Sequence, residues 1–325
     1  MIRRRMPVRP CVSIVMCTYN GAAFVGQQLA SLAAQTVPPH ELVVCDDRST
    51  DDTVRIVREF ATRSPFPVRV EVNDQNLGVW ENFARATSLA GGEWVMPCDQ
   101  DDVWRPHKLE RFATEMTDPT VGLVFCDARV VDSDLRPAGH THWQSVDFGA
   151  AQQQEFRRDG AFGVLLKHSF VAGATMAFRA DLRDAILPLP PHWAFDAWAA
   201  VVAAGLAEAR IIPEPLNDYR QHPKQALGGA RKGPWRRYVE ARRAADETYY
   251  RTIAEMAESL RDRLAGRVDA RRAALLDGKV RFARARAAMR RSAFHRYPLL
   301  AGQLLAGRYW RYGQGLKSVI VDALV

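Results

Sequence analysis

Short runs of β-branched and other apolar residues alternate with helical patterns through the first 130 residues. The expected strands are Val12–Cys17, Glu41–Cys45, Val68–Val72, Glu93–Cys98 and Val121–Cys126. The expected helices between them are Ala22–Ala34, Asp51–Thr62, Val79–Leu89 and Pro106–Met116. Because this alternation is the sequence signature of βαβ units, it predicts a mostly parallel sheet flanked by helices.

The pattern loosens after Asp132, and we expect long loops around one short helix as far as Phe170. Loops of that length inside a compact domain are usually functional. The elements expected from the short helix onward are a helix near Phe162–Leu166, a strand at Thr175–Phe178, a helix at Asp181–Ile186 and an alanine-rich helix from about Asp196 to Ala207.

Charge divides the chain into two parts. Residues 1–230 carry 23 basic and 28 acidic side chains, whereas residues 231–325 carry 22 and 9. A glycine-rich break at Gly228-Gly229 precedes the basic part, in which apolar residues recur at helical spacing and predict two long helices. The sequence therefore predicts an α/β domain over residues 1–230 and a basic helical C-terminal extension over residues 231–325.

No membrane span is expected, because the longest apolar stretch, Ala197–Ala207, is about half of what a spanning helix needs. The five cysteines lack any C-x-x-C spacing and mostly lie within or at the ends of strand-like runs. Buried free thiols in a reducing cytoplasm are the interpretation that we favour.

Polar residues follow three of the expected strands where each strand ends. Strand one runs into Thr18-Tyr19-Asn20, strand two into Asp46-Asp47, and strand four into Asp99-Gln100-Asp101-Asp102. Ligands of open α/β sheets bind beyond the carboxyl ends of the strands, so these side chains are expected to face one crevice.

Asp99, Asp101 and Asp102 would repel one another, and a site that keeps them ionised needs a cation. Carboxylate oxygens favour hard ions such as Mg²⁺ or Mn²⁺, and Mg²⁺ typically binds through one or two carboxylates plus substrate phosphates. A nucleoside diphosphate substrate follows from this chemistry. The alternative is a solvated acidic loop that caps the next helix.

Three segments resemble the nucleotide-sugar-binding and catalytic segments of family 2 glycosyltransferases: Cys11–Asp52, Asn76–Leu109 and Phe195–His222. The strings DQDDVW and YRQH look most like the bacterial rhamnosyltransferase-like branch. The resemblance implies a GT-A fold, a dTDP- or UDP-linked sugar donor, a glycan or lipid-linked acceptor and a role in bacterial cell-surface polysaccharide synthesis. Residues 1–230 would then form the catalytic domain.

The resemblance also implies roles for residues at the first two strand ends. Thr18 and Tyr19 would line the nucleoside pocket, with Asn20 beside them on the donor side. Asp46 would hydrogen-bond the pyrimidine base, with Asp47 next to it, although support of the following helix is an alternative for Asp46.

Asp99 would contact the ribose or the metal, and Asp101 would ligate the metal that bridges the diphosphate; the role of Asp102 stays open. In some relatives a histidine at the position of His222 completes the metal shell. Arg220 could pair with the diphosphate as a fork donor, or form a structural ion pair.

Asn76, Gly78, Asn82 and Arg85 match an N-x-G-x-x-x-N-x-x-R pattern of the resemblance. The pattern assigns Asn76 to the donor site, with a plain turn and helix start as the alternative.

An inverting transfer needs a base on the acceptor side, because the attacking hydroxyl loses its proton. Asp196 is a lone carboxylate near the start of an otherwise apolar helix, and it matches the family's base position. The alternative is an acid that complements the helix dipole.

Two other enzyme or binding functions compete with this interpretation. A nucleotidyltransferase would be expected to carry a glycine-rich loop after strand one, where this chain has Thr18-Tyr19-Asn20-Gly21-Ala22-Ala23. A non-catalytic sugar-nucleotide-binding module is disfavoured by the presence of all three acidic elements.

The basic extension predicts an anionic partner. The segment Tyr297–Val325 is amphipathic, and the catalytic part is net acidic with no nucleic-acid motif, so we expect peripheral attachment to the inner face of the cytoplasmic membrane rather than nucleic acid. Leu304, Leu305, Trp310 and Ile320 are the expected insertion residues. A solvated helix face is the alternative.

Overall fold

The fold was analysed in a computed structural model, which describes residues 10–223, 225, 247–291 and 293–324. The predicted alternation in the first part is confirmed. The strands are β1 (Val12–Thr18), β2 (Glu41–Asp46), β3 (Val68–Val72) and β4 (Trp94–Asp99). The helices after them are α1 (Val25–Ala33), α2 (Thr53–Ala61) and α3 (Val79–Leu89).

These strands lie in the order β3-β2-β1-β4 and are parallel. Their register brings Thr18 opposite Asp46, and Cys17 opposite Asp99. The carboxyl ends of β1, β2 and β4 therefore meet at one edge of the sheet, as the sequence predicts.

The second half of the sheet is mixed. It contains β5 (Val103–Trp104), β6 (Val121–Val131), β8 (Met176–Arg179) and β9 (Glu208–Arg220), with helix α4 (Lys108–Met116) between β5 and β6. Strand β8 pairs antiparallel with both β4 and β6, whereas β6 and β9 are parallel. In the described part of the chain the sheet order is β3-β2-β1-β4-β8-β6-β9-β5, with β7 (Pro137–Thr141) paired to β6.

Strand β9 is absent from the sequence prediction because it contains Pro213 and Pro215, which lack the N–H group that a sheet ladder needs. The structure accommodates both prolines at a register shift, where Cys126 pairs with Ile212 but Asp127 pairs with Pro215. A bulge of this kind lets a strand continue past a proline.

The long loops predicted between Asp132 and Phe170 are largely wrong. The segment forms β7 and three helices: α5 (His142–Ser145), α6 (Ala150–Asp159) and α7 (Ala161–Lys167). Helix α6 is nearly all polar, so it has no apolar periodicity to reveal it, and Gly160 separates it from α7 at a φ of 92°.

Helix α8 (Arg183–Ile186) and the apolar helix α9 (Phe195–Leu206) precede β9, close to their predicted positions. Among its described residues, the C-terminal part contains the two predicted long helices and three shorter ones. They are α10 (Glu247–Leu264), α11 (Ala270–Arg291), α12 (Ala293–Leu305), α13 (Arg308–Tyr312) and α14 (Leu316–Leu324). No helix among the described residues combines the length and apolar character needed to cross a bilayer.

The C-terminal helices share a hydrophobic core with the sheet domain. Leu260 and Leu264 of α10 belong to the same buried cluster as Trp198 and Val202 of α9. The side chain of Arg263 adds hydrogen bonds to the carbonyl oxygens of α8 and its following loop, at 2.9 and 2.8 Å. The predicted boundary at residue 230 lies outside the described residues.

A buried carboxylate holds α11, α13 and α14 together. Asp322 is fully buried and accepts hydrogen bonds from Arg286, Arg290 and Tyr309 at 2.7–2.9 Å. Both guanidinium groups also lie over the ring of Tyr250 on α10. Arg286 and Arg290 belong to the basic extension for which the sequence predicted an external anionic partner, but their charges are paired inside the protein.

We predict that Asp322→Asn destabilises the fold, because it leaves two guanidinium groups of the interior without their counter-charge. Breaking such a group typically costs about 3–5 kcal/mol, which corresponds to a fall in Tm of about 5 °C for a chain of this size. Asp262→Asn removes an exposed carboxylate on α10 and is the matched control. Equal melting temperatures of the two variants by differential scanning calorimetry would contradict the prediction.

Candidate active site

A cavity of about 460 Å³ lies at the carboxyl ends of β1, β2 and β4. Segments from both halves of the sheet and from α3 and α9 line it, and its polar lining includes Thr18, Tyr19, Asp47, Asn76, Asn82, Asp99, Gln100, Asp101, Asp196 and Tyr219. Most of the predicted site residues are thus brought together.

Asp46 is used inside the protein rather than at the cavity wall. One of its oxygens accepts from the hydroxyls of Thr18 and Ser49 at 2.7 and 2.6 Å, and the other accepts from the Ser49 N–H at 2.7 Å. The carboxylate is buried, so the geometry favours a structural role over the predicted contact with a base.

Asp47, its neighbour, lies in the cavity wall and organises the loop before α3. Its carboxylate accepts from the backbone N–H groups of Leu77 and Gly78 and from the side chain of Asn73, at 2.7–2.9 Å. Asn76 donates to the carbonyl oxygen of Asp47 at 3.1 Å, and Gly78 has a φ of 80° that favours glycine. The predicted Asn-x-Gly pattern therefore shapes one side of the cavity.

Gln100, which the sequence placed at this sheet edge without a specific role, closes the loop after β1. Its amide group accepts from the Tyr19 N–H at 3.0 Å and donates to the Tyr19 carbonyl oxygen at 3.1 Å. Gly21 makes room for it, since a Cβ atom there would lie 2.0 Å from the Gln100 Oε1 atom. Asn20 accepts from the N–H and hydroxyl groups of Thr50 and is absent from the cavity lining.

The acids after β4 have different surroundings. Asp102 is buried and accepts from the Arg220 N–H and the Asn217 side chain, at 3.0 and 3.1 Å, so it ties this loop to β9. The Asp99 carboxylate lines the cavity and has no hydrogen-bond donor among the described residues. Burial, together with the negative charges of Asp101 and Asp196, raises the pKa of Asp99 to about 7.

Asp101 meets His222 across 121 residues of sequence, with Oδ2 and Nε2 2.8 Å apart. The ring of Phe24 packs against the imidazole at a centroid distance of 4.6 Å. Both side chains are largely buried, so their relative position is held by the surrounding structure.

The guanidinium group of Arg220 is engaged by the protein. It donates to the carbonyl oxygens of Asp101 and Ser133 and, at 2.6 Å, to the side chain of Gln27. The residue is buried and also stacks over Phe24. Arg220 also lines the cavity, and its described partners are carbonyl and amide oxygens rather than the carboxylate of the structural ion pair that the sequence left open.

Asp196 lies in the first turn of α9 and faces the same cavity as Asp99. Its two oxygens accept from the backbone N–H groups of Gly173 and Ala197, at 3.2 and 2.8 Å. Burial raises the pKa of Asp196, and the two hydrogen bonds oppose this shift. The Gly173 N–H thus helps to orient this carboxylate.

Residues 13–186, more than half of the chain, match the model of the family described as "Glycosyl transferase family 2". The chain belongs to glycosyl transferase family 2. As a family 2 glycosyltransferase it is a transferase that uses nucleotide sugars, which confirms the enzyme class predicted from the sequence.

The chain is also similar to curated bacterial proteins. An uncharacterized protein of Mycobacterium tuberculosis is 29% identical over 266 residues, which are 78% of this chain and 69% of that protein. An uncharacterized glycosyltransferase of Nostoc is 25% identical over 217 residues, which are 65% of each chain.

Solved structures confirm the predicted GT-A fold. A fragment of S. aureus TarS, solved with UDP-GlcNAc, superposes with a TM-score of 0.56 at 19% identity and covers 95% of this chain and 90% of that one. A mannosyltransferase of Pyrobaculum calidifontis, solved with GDP-Man and Mn²⁺, gives a TM-score of 0.56 at 21% identity and covers 98% and 87%.

GT-A glycosyltransferases commonly use a divalent metal, and the donor set of this glycosyltransferase fits one. Asp99 presents a carboxylate that no described donor satisfies, and Asp101 and His222 bring a carboxylate oxygen and an imidazole nitrogen to within 2.8 Å of each other. No three acidic, histidine or cysteine side chains of the described residues are grouped closely enough to hold an ion by themselves. A donor diphosphate would supply the missing oxygens, as is usual for Mg²⁺.

Proposed function

We propose that this glycosyltransferase is inverting and metal-dependent and moves a sugar from a nucleoside diphosphate to an acceptor hydroxyl in bacterial cell-surface polysaccharide synthesis. The observation that carries the proposal is the single cavity lined by the Asp99 carboxylate, which no described donor satisfies, by Asp101, and by the oriented carboxylate of Asp196. One end suits a charged leaving group, and the other suits removal of a proton.

The donor end is assigned to the loops after β1, β2 and β4. Thr18, Tyr19 and Asp47 would contact the nucleoside, with Asn76 holding the loop on the far side. Asp99, Asp101 and His222 would hold Mg²⁺ or Mn²⁺, which when bound neutralises the diphosphate and stabilises its charge as a leaving group. A dTDP- or UDP-linked donor and membership of the rhamnosyltransferase-like branch are part of this proposal.

The acceptor end is assigned to Asp196. Its carboxylate would take the proton of the acceptor hydroxyl while the hydroxyl oxygen attacks the anomeric carbon opposite the leaving diphosphate, which inverts the configuration. The two backbone hydrogen bonds orient the carboxylate before the acceptor arrives. Its raised pKa makes it a stronger base than a solvated aspartate.

We further propose that the enzyme attaches to the inner face of the cytoplasmic membrane through α12, α13 and α14. Helix α14 buries polar residues and exposes apolar ones. Its buried side chains include Ser318 and Asp322, and Leu316, Ile320 and Leu324 are exposed on the other side. Residues four apart share a helix face, so these three side chains form one apolar strip.

Helices α12 and α13 extend this apolar surface. Phe294, Tyr297 and Leu305 are exposed on α12, with Leu305 91% exposed, and Trp310 is exposed on α13. Leu304, which the sequence also assigned to insertion, instead packs against the core. Exposed Arg311 and Lys317 on α13 and α14 would meet anionic head groups.

The electrostatic share of this attachment is smaller than the charge count of the extension suggests. Arg286 and Arg290 are internal, and Arg284 and Arg291 pair with Glu258 and Glu247. The apolar surface would therefore supply most of the free energy of attachment. The buried free cysteines among the described residues are in keeping with a reducing compartment.

We predict that transfer stops in EDTA and returns with Mg²⁺ or Mn²⁺. Asp101→Asn should lower the rate at least about a hundredfold, on the scale of losing one major electrostatic stabiliser. Glu59→Gln, an exposed carboxylate on α2, is the matched control and should transfer normally. Full activity in chelator would refute the metal requirement.

We predict that Asp196→Asn lowers transfer by about a hundredfold or more and leaves UDP affinity nearly unchanged, because the base acts on the acceptor. The wild-type rate should fall as pH drops through the raised pKa of Asp196, since protonation removes the base. Asp184→Asn, an exposed acid on α8, is the control. A product that retains the donor's anomeric configuration by NMR would rule out this mechanism.

We predict that the protein co-sediments with vesicles containing phosphatidylglycerol and that Leu316→Glu and Ile320→Glu weaken this binding. Deleting residues 297–325 is not a suitable test, because Tyr309 and Asp322 belong to the core. Gln314→Glu makes the same charge change at an exposed polar site and should retain binding. Equal binding by all variants would show that this surface does not contact lipid.

A further inference from the structure

A second, smaller cavity of about 210 Å³ lies between α9, α10 and the segment before Gly173. Its walls are mainly apolar and include Phe170, Val171, Trp193, Ala200, Met256 and Leu260. The indole N–H of Trp193 donates to the Ser259 hydroxyl at 3.1 Å and fixes one wall to α10. The C-terminal helices therefore complete this cavity.

The small cavity borders the acceptor end of the active site. Phe170 and Val171 line the small cavity, whereas the next two residues, Ala172 and Gly173, line the large one. Helix α9 is shared in the same way, with Asp196 facing the large cavity and Ala200, one turn later, facing the small one. A molecule whose hydroxyl reached Asp196 would thus have this cavity beside it.

Cations line part of this apolar space. The Lys279 ammonium donates to the Tyr312 carbonyl oxygen at 3.2 Å, and no carboxylate of the described residues lies within 4 Å of it. Lys167 also lines the cavity and has Glu155 at 3.7 Å. Burial, together with the positive charge of nearby Arg286, lowers the pKa of Lys279 to about 8.

Lys279 is partly buried, and among the described residues the hydrogen-bond partner of its ammonium group is a carbonyl oxygen rather than a carboxylate. An anionic ligand would therefore add a charge-assisted hydrogen bond there. His168 at the same cavity has a pKa lowered to about 4 by burial and by both lysines, so at neutral pH it is uncharged and does not add to their positive charge.

We propose that the small cavity binds the apolar chain of the acceptor, with an anionic group of that acceptor, such as a phosphate, paired with Lys279. The proposal rests on the proposed function, since it places the acceptor beside Asp196. An apolar cavity of about 150 Å³ holds benzene, so 210 Å³ suits a short alkyl segment. The acceptor is then an anionic amphiphile such as an alkyl or prenyl phosphate derivative.

The test uses octyl phosphate as the probe and isothermal titration calorimetry with the full chain. Octyl phosphate should bind the wild type, whereas octanol should bind more weakly and inorganic phosphate should not bind detectably. Lys279→Met should weaken octyl phosphate by about tenfold, the scale of one charge-assisted hydrogen bond. Ala200→Leu, which fills the cavity, should weaken octyl phosphate and octanol alike.

Arg281→Met removes an exposed cation two residues further along α11 and is the matched control, with unchanged affinity expected. UDP affinity in the presence of Mn²⁺, measured on the same samples, separates the two proposals: loss of UDP binding in the wild type counts against the proposed function alone. Three results would overturn the acceptor subsite. The first is no binding of octyl phosphate by the wild type, and the second is wild-type affinity for octyl phosphate in both Lys279→Met and Ala200→Leu. The third is binding of inorganic phosphate as tight as that of octyl phosphate.

Discussion

The active site depends on acidic side chains that the parallel register of β1, β2 and β4 collects at one sheet edge. Carboxylates gathered in a poorly solvated place repel one another unless hydrogen bonds or cations stabilise them. The protein satisfies Asp46, Asp47 and Asp102 with N–H and hydroxyl donors. Asp99 receives no such donor from the described residues. Asp46, Asp47 and Asp102 therefore hold the loops in place, whereas Asp99 is the acid proposed to face a bound cation.

The positive charge of Lys108 partly offsets the negative charge of these acids. Its ammonium group is buried over the ring of Trp104 at 3.7 Å, and its positive charge opposes the rise in pKa of both Asp99 and Asp102. It also donates to the Ala174 carbonyl oxygen at 2.6 Å, next to the Gly173 N–H that orients Asp196. One buried cation thus contacts the turn that supports the proposed base and acts electrostatically on two acids that follow β4.

The sequence predicted the sheet edge well because alternation and strand ends are local signals. It did not predict β9, because prolines are unfavourable in a strand unless a bulge accommodates them. It did not predict α6, because the polar sequence of that helix lacks apolar periodicity. It could not separate Asp46 from Asp47, because which of two adjacent acids turns inward depends on donors from Thr18 and from the distant loop at Gly78. Lys108 left one local hint, a cation in the first turn of a helix, where the helix dipole disfavours it.

The exposure of the apolar face of α14 also follows from the need to pair buried charges. Turning this helix by half a revolution would bury Leu316, Ile320 and Leu324, at a gain of about 1.5–3 kcal/mol for each side chain. It would also remove Asp322 from Arg286 and Arg290 and leave two guanidinium groups of the interior unpaired, at several kcal/mol each. Asp322 therefore sets the orientation of the helix against the hydrophobic effect. Because Ile320 and Asp322 lie on opposite faces, an interior built around that carboxylate necessarily presents an apolar surface outward.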